Sequence, residues 1–181
     1  MDRAGALVTT EQCLLNPNRN PERSWGQLEA MLGEFLGVQR VVWLRRGLVP
    51  DRGTDGHVDL IAAFIAPGEL LLQGAPPGDP NAEAMAYNRA RVEAAGLRVT
   101  EMPVLPAVEI DGRQVVCPHL NLYVCNGAVI APVAGAASDA DALSIIEAAF
   151  PRRAVVAVRA TTLASRGGGP HWITQQLPTA L

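Results

Sequence analysis

Three segments of the chain carry apolar residues at the spacing of an amphipathic helix, and a strand-like run follows each of them. In the first segment Asn20 is predicted to cap the helix, with Pro21 in its first turn and Gly37 at its end. A β-rich run over residues 38–44 follows. The apolar positions that recur on one face of this helix are Trp25, Leu28, Met31, Leu32, Phe35 and Leu36.

The same arrangement recurs twice further along the chain. The second helix is predicted from Asp79-Pro80 to Gly96, and the third from Ser138-Asp139 to Phe150, before strands over 97–102 and 154–158. The three predicted starts, at residues 21, 80 and 139, are separated by 59 residues in both cases. We therefore predict an α/β repeat of roughly sixty residues. A coincidental spacing of three helices is the alternative.

Four further apolar segments lie between these helices and are predicted to be extended, over residues 58–66, 69–73, 120–125 and 128–133. Asn126-Gly127 separates the last two segments and predicts a tight hairpin, because both residue types tolerate positive φ. Since no linker or low-complexity stretch divides the chain, residues 1–181 are predicted to form a single α/β domain.

Composition narrows the class of protein. Of the 181 residues 49% are hydrophobic and 18% charged, which excludes a disordered chain. The net charge of −3 argues against a nucleic-acid partner, and the absence of a long apolar run or signal peptide predicts a cytoplasmic protein without a membrane partner. The three cysteines lack CxxC spacing, so neither a disulfide framework nor a metal site is expected, and Cys13 and Cys125 are interpreted as inert core residues.

The stretch Thr54-Asp55-Gly56-His57-Val58-Asp59 is the first candidate for chemistry. If Val58 lies in a strand, His57 and Asp59 point to the same face, because side chains alternate along a strand. A histidine beside a carboxylate suits general acid–base catalysis, and a carboxylate also matches the planar N–H donors of a guanidinium group. A polar loop that enters a strand is the alternative.

The second candidate is the glycine-rich loop that runs from Arg166 through Gly167, Gly168 and Gly169 to His171 and Trp172. Consecutive glycines permit positive φ and let the backbone approach a ligand closely. The spacing matches neither a P-loop nor a Rossmann fingerprint. A plain flexible loop with a structural histidine is the alternative interpretation.

Taken in order, several stretches resemble the agmatine deiminase family, which includes the bacterial type of peptidyl-arginine deiminase. The resemblance covers essentially the whole chain. The matching residues are 7–21, Trp43-Leu44, Arg46-Gly47-Leu48, 54–59, Asn121-Leu122-Tyr123, Asn126-Gly127, 167–169, His171, 173–176 and Pro178.

This resemblance implies a pentein fold, also called an α/β-propeller, in which five ββαβ-like modules surround a pseudo-fivefold axis. The present chain would form a partial pentein of about three modules. Family members convert agmatine and water to N-carbamoylputrescine and ammonia, a step of putrescine and polyamine biosynthesis, without a metal or organic cofactor. Carboxylates hold the guanidinium group, a cysteine thiolate attacks its central carbon, and a histidine transfers protons. A thiolate is needed because the resonance-stabilised guanidinium is a poor electrophile.

Carried over by the resemblance, His57 takes the acid–base position and Asp59 that of a guanidinium-holding carboxylate. Asp55, Gly168 and Gly169 are expected on the substrate-binding side. The nucleophile position falls on Trp172, and the half of the family that precedes the threonine–glutamate motif has no counterpart in this chain. A hydrolase-family protein without catalytic activity, in effect a truncated pseudoenzyme, is therefore expected.

Two alternatives follow from the same residues. One is a protein that still binds an agmatine-like guanidine or polyamine in the acidic pocket around His57 and Asp59, alone or completed by a partner. The other is an active deiminase complemented by a second chain. Apolar edges left without neighbouring modules would also favour self-association.

Overall fold

The computed structural model describes residues 1–49, 51, 53–103 and 107–177. The chain divides after Pro103 into two compact units. Each unit is built from small sheets whose strands are joined by helices, so the predicted α/β class is confirmed.

The first unit contains two small sheets. In one of them β1 pairs in parallel with β2, and in the other β3 pairs antiparallel with β4, which pairs in parallel with β5. The side chains of Leu70, Leu71 and Leu72 on β4 are at most 1% exposed and form the centre of this unit's core. The elements in chain order are β1 (Ala6–Thr10), α1 (Glu11–Leu14), α2 (Trp25–Leu36), β2 (Arg40–Leu44), a turn of 3-10 helix (Val58–Leu60), β3 (Ala62–Ala66), β4 (Glu69–Gln73), α3 (Ala82–Ala94) and β5 (Arg98–Met102).

The second unit contains a hairpin of β6 and β7 and a sheet in which β8 pairs antiparallel with β9 and β9 in parallel with β10. The predicted hairpin at Asn126-Gly127 is confirmed, since Cys125 pairs with Ala128 and Gly127 has a φ of 79°. The elements are β6 (Ala107–Ile110), β7 (Arg113–Val116), β8 (Tyr123–Cys125), β9 (Ala128–Val133), α4 (Asp139–Ala149), β10 (Ala154–Arg159) and α5 (Thr161–Ala164).

The predicted repeat of a helix followed by a strand is confirmed, but the helices are spaced differently along the chain. A hairpin, a helix and a returning parallel strand occur as β3-β4-α3-β5 and again as β8-β9-α4-β10, while β1-α2-β2 has the same crossover without a hairpin. The helices α2, α3 and α4 begin at residues 25, 82 and 139, so that both intervals are 57 residues.

The predicted start of the first helix at Asn20-Pro21 is wrong. The helix begins after Ser24, whose hydroxyl accepts from the backbone N–H of Gln27 while the Gln27 side chain accepts from the Ser24 N–H. This reciprocal capping box satisfies two backbone donors that an Asn20 cap would leave unpaired. Asn20 donates instead to the Leu14 carbonyl, and Gly37 ends the helix at a φ of 67°, as predicted.

The strand predicted over residues 58–66 is also wrong at its start. Val58–Leu60 form a single turn of 3-10 helix, and β3 begins only at Ala62. Similarly, the strand predicted over 120–125 begins at Tyr123, because residues 118–121 form a turn closed by the Asn121 N–H on the Pro118 carbonyl. In the part of the chain that the structure describes, no helix is long and apolar enough to span a membrane.

Candidate functional site

The loop that leads to His57 is organised by one carboxylate. Asp51 accepts hydrogen bonds from the backbone N–H groups of Gly53, Thr54 and Gly56, at 3.2, 2.9 and 2.8 Å, and from the Thr54 hydroxyl. The Thr54 hydroxyl in turn accepts from the His57 N–H at 3.2 Å. Asp51 therefore fixes the backbone immediately before His57, and its oxygens are already engaged by the loop.

Close backbone packing holds the same loop against the first strand and helix of the unit. The Thr10 hydroxyl donates to the Gly56 carbonyl at 2.5 Å, and the Gln12 side-chain oxygen accepts from the Gly47 N–H at 3.1 Å. Gly56 has a φ of +77°, and a Cβ there would overlap the Gln12 side chain. Only glycine fits this position without strain.

This scaffold brings His57 and Asp59 together. The His57 Nδ1 lies 3.6 Å from the Asp59 Oδ1, and both side chains are partly exposed. The proximity expected from strand alternation is thus present, but the 3-10 turn at Val58–Leu60 produces it. A partly exposed imidazole beside a carboxylate can bind a cation and exchange a proton with it.

Asp55 has a partner that the sequence reasoning missed. The Arg19 Nε lies 3.2 Å from the Asp55 Oδ2, and the Arg19 Nη2 donates to the Thr54 carbonyl at 3.0 Å. Asp55 thus holds a guanidinium group that belongs to this chain, at a backbone φ of 58°. Arg19 and Asp55 are 36 residues apart, and nothing in the sequence spacing of either residue points to the other.

Cys13 lies near these charges but is unsuited to nucleophilic attack. Burial raises the pKa of its thiol; the nearby Arg19 opposes that rise, while Asp55, Asp59 and Asp51 add to it. The raised pKa keeps Cys13 as a thiol near neutral pH, in agreement with its interpretation as an inert core cysteine.

In the second unit the glycine-rich loop follows α5. A Cβ on Gly169 would lie 2.8 Å from the Asn121 Oδ1, and one on Gly168 would lie 2.6 Å from the Trp172 Cβ. The His171 N–H donates to the Asn121 carbonyl at 3.2 Å. These two glycines are therefore required by packing within the unit, and the Trp172 side chain that follows is 54% exposed.

A buried histidine–carboxylate pair in the second unit was not found from the sequence. The His119 Nε2 lies 3.0 Å from the Asp139 Oδ1, and His119 is fully buried. Asp139 also accepts from the backbone N–H groups of Ala134, Gly135 and Ala136. Burial alone would raise the pKa of Asp139, but the hydrogen bonds from His119 and these three amides outweigh it and hold the pKa below its ordinary value.

The other two cysteines lie in the second unit. Burial, reinforced by the charge of Asp139, raises the pKa of the Cys117 thiol to about 11. Cys125 donates its S–H to the Ala128 carbonyl at 3.5 Å. Among the described residues, no group of three or more histidine, cysteine or acidic side chains has the arrangement of a metal site.

The predicted site residues thus fall into two groups. His57, Asp59 and Asp55 lie in the first unit, while Gly168, Gly169 and Trp172 lie in the second.

Comparison with known proteins gives consistent matches over nearly the whole chain. The sequence model of the Porphyromonas-type peptidyl-arginine deiminases matches residues 1–178. An agmatine deiminase from Stutzerimonas stutzeri is 38% identical over 98% of this chain and 55% of its own length. A Medicago truncatula agmatine deiminase is 35% identical with the same two coverages.

Solved structures of related proteins also match this chain over nearly its whole length. The agmatine deiminase of Enterococcus faecalis superposes with a TM-score of 0.89 at 32% identity, over 98% of this chain and 55% of that one. A putative arginine deiminase from Porphyromonas gingivalis gives a TM-score of 0.91 at 30% identity, with the same coverages. The chain therefore spans about half the length of the relatives that it matches.

Proposed function

This chain belongs to the family of agmatine deiminases and Porphyromonas-type peptidyl-arginine deiminases, and on that premise we propose that it binds a guanidinium compound without hydrolysing it. The observation that carries the proposal is Trp172, which stands where the family resemblance places the nucleophilic cysteine. The ligand class is an agmatine-like guanidine, held by the carboxylate of Asp59 beside His57.

The loss of hydrolysis follows from the chemistry of the position. In the family reaction a thiolate adds to the guanidinium carbon, ammonia leaves after protonation, and water then displaces the sulfur from the amidino-thioether. An indole side chain donates one N–H and offers no lone pair for the first of these steps. Cys13 and Cys117 cannot take over as thiolates near neutral pH, because burial raises the pKa of both thiols.

The retention of binding is supported by the first unit. Its loop is held by Asp51, Thr10 and Gln12 in one conformation, and this conformation presents Asp59 and His57 together. Guanidinium N–H groups pair with carboxylates in a planar, charge-assisted geometry. Asp55 is not assigned to the ligand in this proposal, because Arg19 occupies it.

The architecture that we propose is a partial pentein domain over residues 1–181. The regular 57-residue spacing of α2, α3 and α4 supports a repeated module, and the half-length match to full-size relatives supports about three modules of five.

Two measurements test the function. Purified chain incubated with agmatine is expected to release neither ammonia nor N-carbamoylputrescine, and turnover that His57→Ala abolishes would overturn the proposal. Calorimetry is expected to detect agmatine binding that Asp59→Asn weakens. The exposed helix residue Glu34 supplies a matched control, since Glu34→Gln removes one negative charge without touching the site. Absence of heat at millimolar agmatine would contradict the binding half of the proposal.

Completion by a second chain is the other candidate, favoured by the half-length match. Co-expression with the part of the Stutzerimonas stutzeri relative that this chain does not match tests it. We expect no turnover from that mixture, because Trp172 would remain at the nucleophile position. Turnover in the mixture would replace the proposed function by a complemented deiminase.

A further inference from the structure

A chain of contacts in the second unit connects a buried histidine–carboxylate pair to the glycine-rich loop, here residues 166–172. The pair consists of His119 and Asp139, whose side chains meet at 3.0 Å. His119 is fully shielded from solvent, so it cannot touch a ligand and is not a catalytic residue. Any part that it plays at the loop must pass through its neighbours.

The first step of the connection is a tight turn. Pro118, His119, Leu120 and Asn121 form this turn, which the Asn121 N–H closes on the Pro118 carbonyl at 3.2 Å. The side chains of Leu120 and Asn121 are both buried. Because His119 is a central residue of the turn, fixing its ring fixes the direction in which Asn121 leaves it.

The second step joins Asn121 to the loop. The Asn121 carbonyl accepts from the His171 N–H at 3.2 Å, and the Asn121 side chain packs so closely on Gly169 that a Cβ there would lie 2.8 Å from the Asn121 Oδ1. A displacement of Asn121 by a few tenths of an ångström would disturb both contacts. The residue that follows His171 is Trp172.

The third step anchors the ring of His119. Asp139 accepts from three backbone N–H groups in the loop between β9 and α4, at 3.2, 2.7 and 2.9 Å. These bonds hold the carboxylate in place and ionised, so that His119 donates through Nε2. The His119 Nδ1 has no hydrogen-bond partner among the described residues, so within them the ring is held through Nε2.

From these contacts we infer that His119 and Asp139 are positioning residues, which set the place of the glycine-rich loop and of position 172 through Asn121. The inference rests on the proposed function at one point only, which is that position 172 corresponds to the nucleophile position of the family. It assigns a role to two residues outside the motifs that carry the family resemblance.

The test compares two variants of His119 by NMR. A glutamine can place its Nε2 near that of the histidine and still donate to Asp139, whereas phenylalanine fills the space without a donor. His119→Phe is expected to speed exchange of the His171 amide about tenfold or more and to lower the heteronuclear NOE across residues 168–172. His119→Gln is expected to keep both close to their wild-type values.

Amides in β9 and β10 provide the internal control. If they lose protection in His119→Phe as much as His171 does, the pair only stabilises the unit and the inference fails. It also fails if the His171 amide is unchanged in a folded His119→Phe, or if His119→Gln behaves like His119→Phe. Should His119→Phe not fold, Asp139→Asn serves in its place, because its amide oxygen can still accept from the backbone N–H groups of Gly135 and Ala136. None of these readouts uses a ligand, so their outcome is independent of the agmatine-binding test.

Discussion

A Cβ atom placed on Gly47 would lie only 2.7 Å from the Cα of Gly56. Two loop segments of the first unit therefore touch backbone to backbone, and the second of them leads directly to His57. The Gln12 side chain lies against the same contact, since its oxygen accepts from the Gly47 N–H. The placement of His57 consequently depends on two residues that carry no side chain.

Alanine at either glycine is expected to destabilise the first unit. Gly47→Ala meets backbone atoms that cannot move independently, and Gly56→Ala adds a side chain at a φ of +77°. Strain of this kind amounts to about 1–3 kcal/mol at each site. Urea denaturation measures the change in the free energy of unfolding, and calorimetry measures the accompanying loss of agmatine affinity.

Gly53 provides the control within the same loop. Among the described residues, a Cβ there has no neighbouring heavy atom within 4 Å. Gly53→Ala is expected to change the free energy of unfolding by about 0.5 kcal/mol or less. Equal effects of all three substitutions would show that the backbone contact does not position the loop.

A cysteine introduced at position 172 is expected to be accessible. The Trp172 side chain is 54% exposed, whereas Cys117 is 1% exposed and the pKa of its thiol is about 11. In Trp172→Cys, iodoacetamide should therefore alkylate the new thiol about tenfold or more faster than Cys117. Peptide mapping by mass spectrometry separates the two rates and also reports Cys13 and Cys125.

Trp172→Ser is the matched control for that measurement, since it opens the same space without a thiol. If Cys117 becomes reactive in Trp172→Ser, the tryptophan itself shields Cys117 from iodoacetamide. The alkylation rate of Cys117 could then not serve as the reference for the thiol at position 172. An introduced thiol that reacts as slowly as Cys117 would contradict the exposed placement of position 172.

Local sequence signals predicted the elements whose ends are set by nearby residues. Gly37 and the Asn126-Gly127 turn were found because positive φ selects glycine directly. The start of α2 was missed because the Asn20-Pro21 pair and the Ser24–Gln27 capping box are both plausible starts, and only the reciprocal bonds decide between them. The 3-10 turn at Val58–Leu60 was missed because a short apolar run does not distinguish it from a strand.

The candidate site was predictable only in part for a different reason. His57 and Asp59 are only two positions apart in sequence, so their proximity could be expected from a strand as well as from a 3-10 turn. The pair of Arg19 and Asp55 is separated by 36 residues. That of His119 and Asp139 is separated by 20. Such pairs depend on how loops pack in three dimensions, so the periodicity of apolar residues along the chain does not predict them.

Acid is expected to destabilise the second unit through Asp139. Because the pKa of Asp139 is lower in the folded protein than its ordinary value of 3.8, ionised Asp139 stabilises the folded state. This stabilisation is fully present above the unfolded pKa and is lost as the pH falls through the lower folded pKa. The Cys117 thiol, whose pKa the charge of Asp139 helps to raise, stays protonated throughout that range.

Asp139→Asn should flatten this acid dependence, measured as the free energy of unfolding of the second unit between about pH 5 and pH 2. Exposed Asp111, in the turn between β6 and β7, supplies the comparison, and Asp111→Asn should leave the profile as in the wild type. An unchanged profile in Asp139→Asn would show that the pair with His119 does not stabilise the folded unit.

The last prediction concerns the apolar face of α2. The sequence pattern predicts that all its apolar side chains are buried, but in the structure some of them are exposed. Leu28 and Phe35 occupy the same predicted helix face, yet Leu28 is 4% exposed and Phe35 is 73% exposed. Leu28→Ala removes buried methyl groups and is expected to cost about 2–4 kcal/mol, whereas Phe35→Ala should cost about 0.5 kcal/mol or less. Urea denaturation at low protein concentration measures both. A large loss from Phe35→Ala that grows with protein concentration would mean that this face is buried between copies of the chain, since only association makes stability depend on concentration.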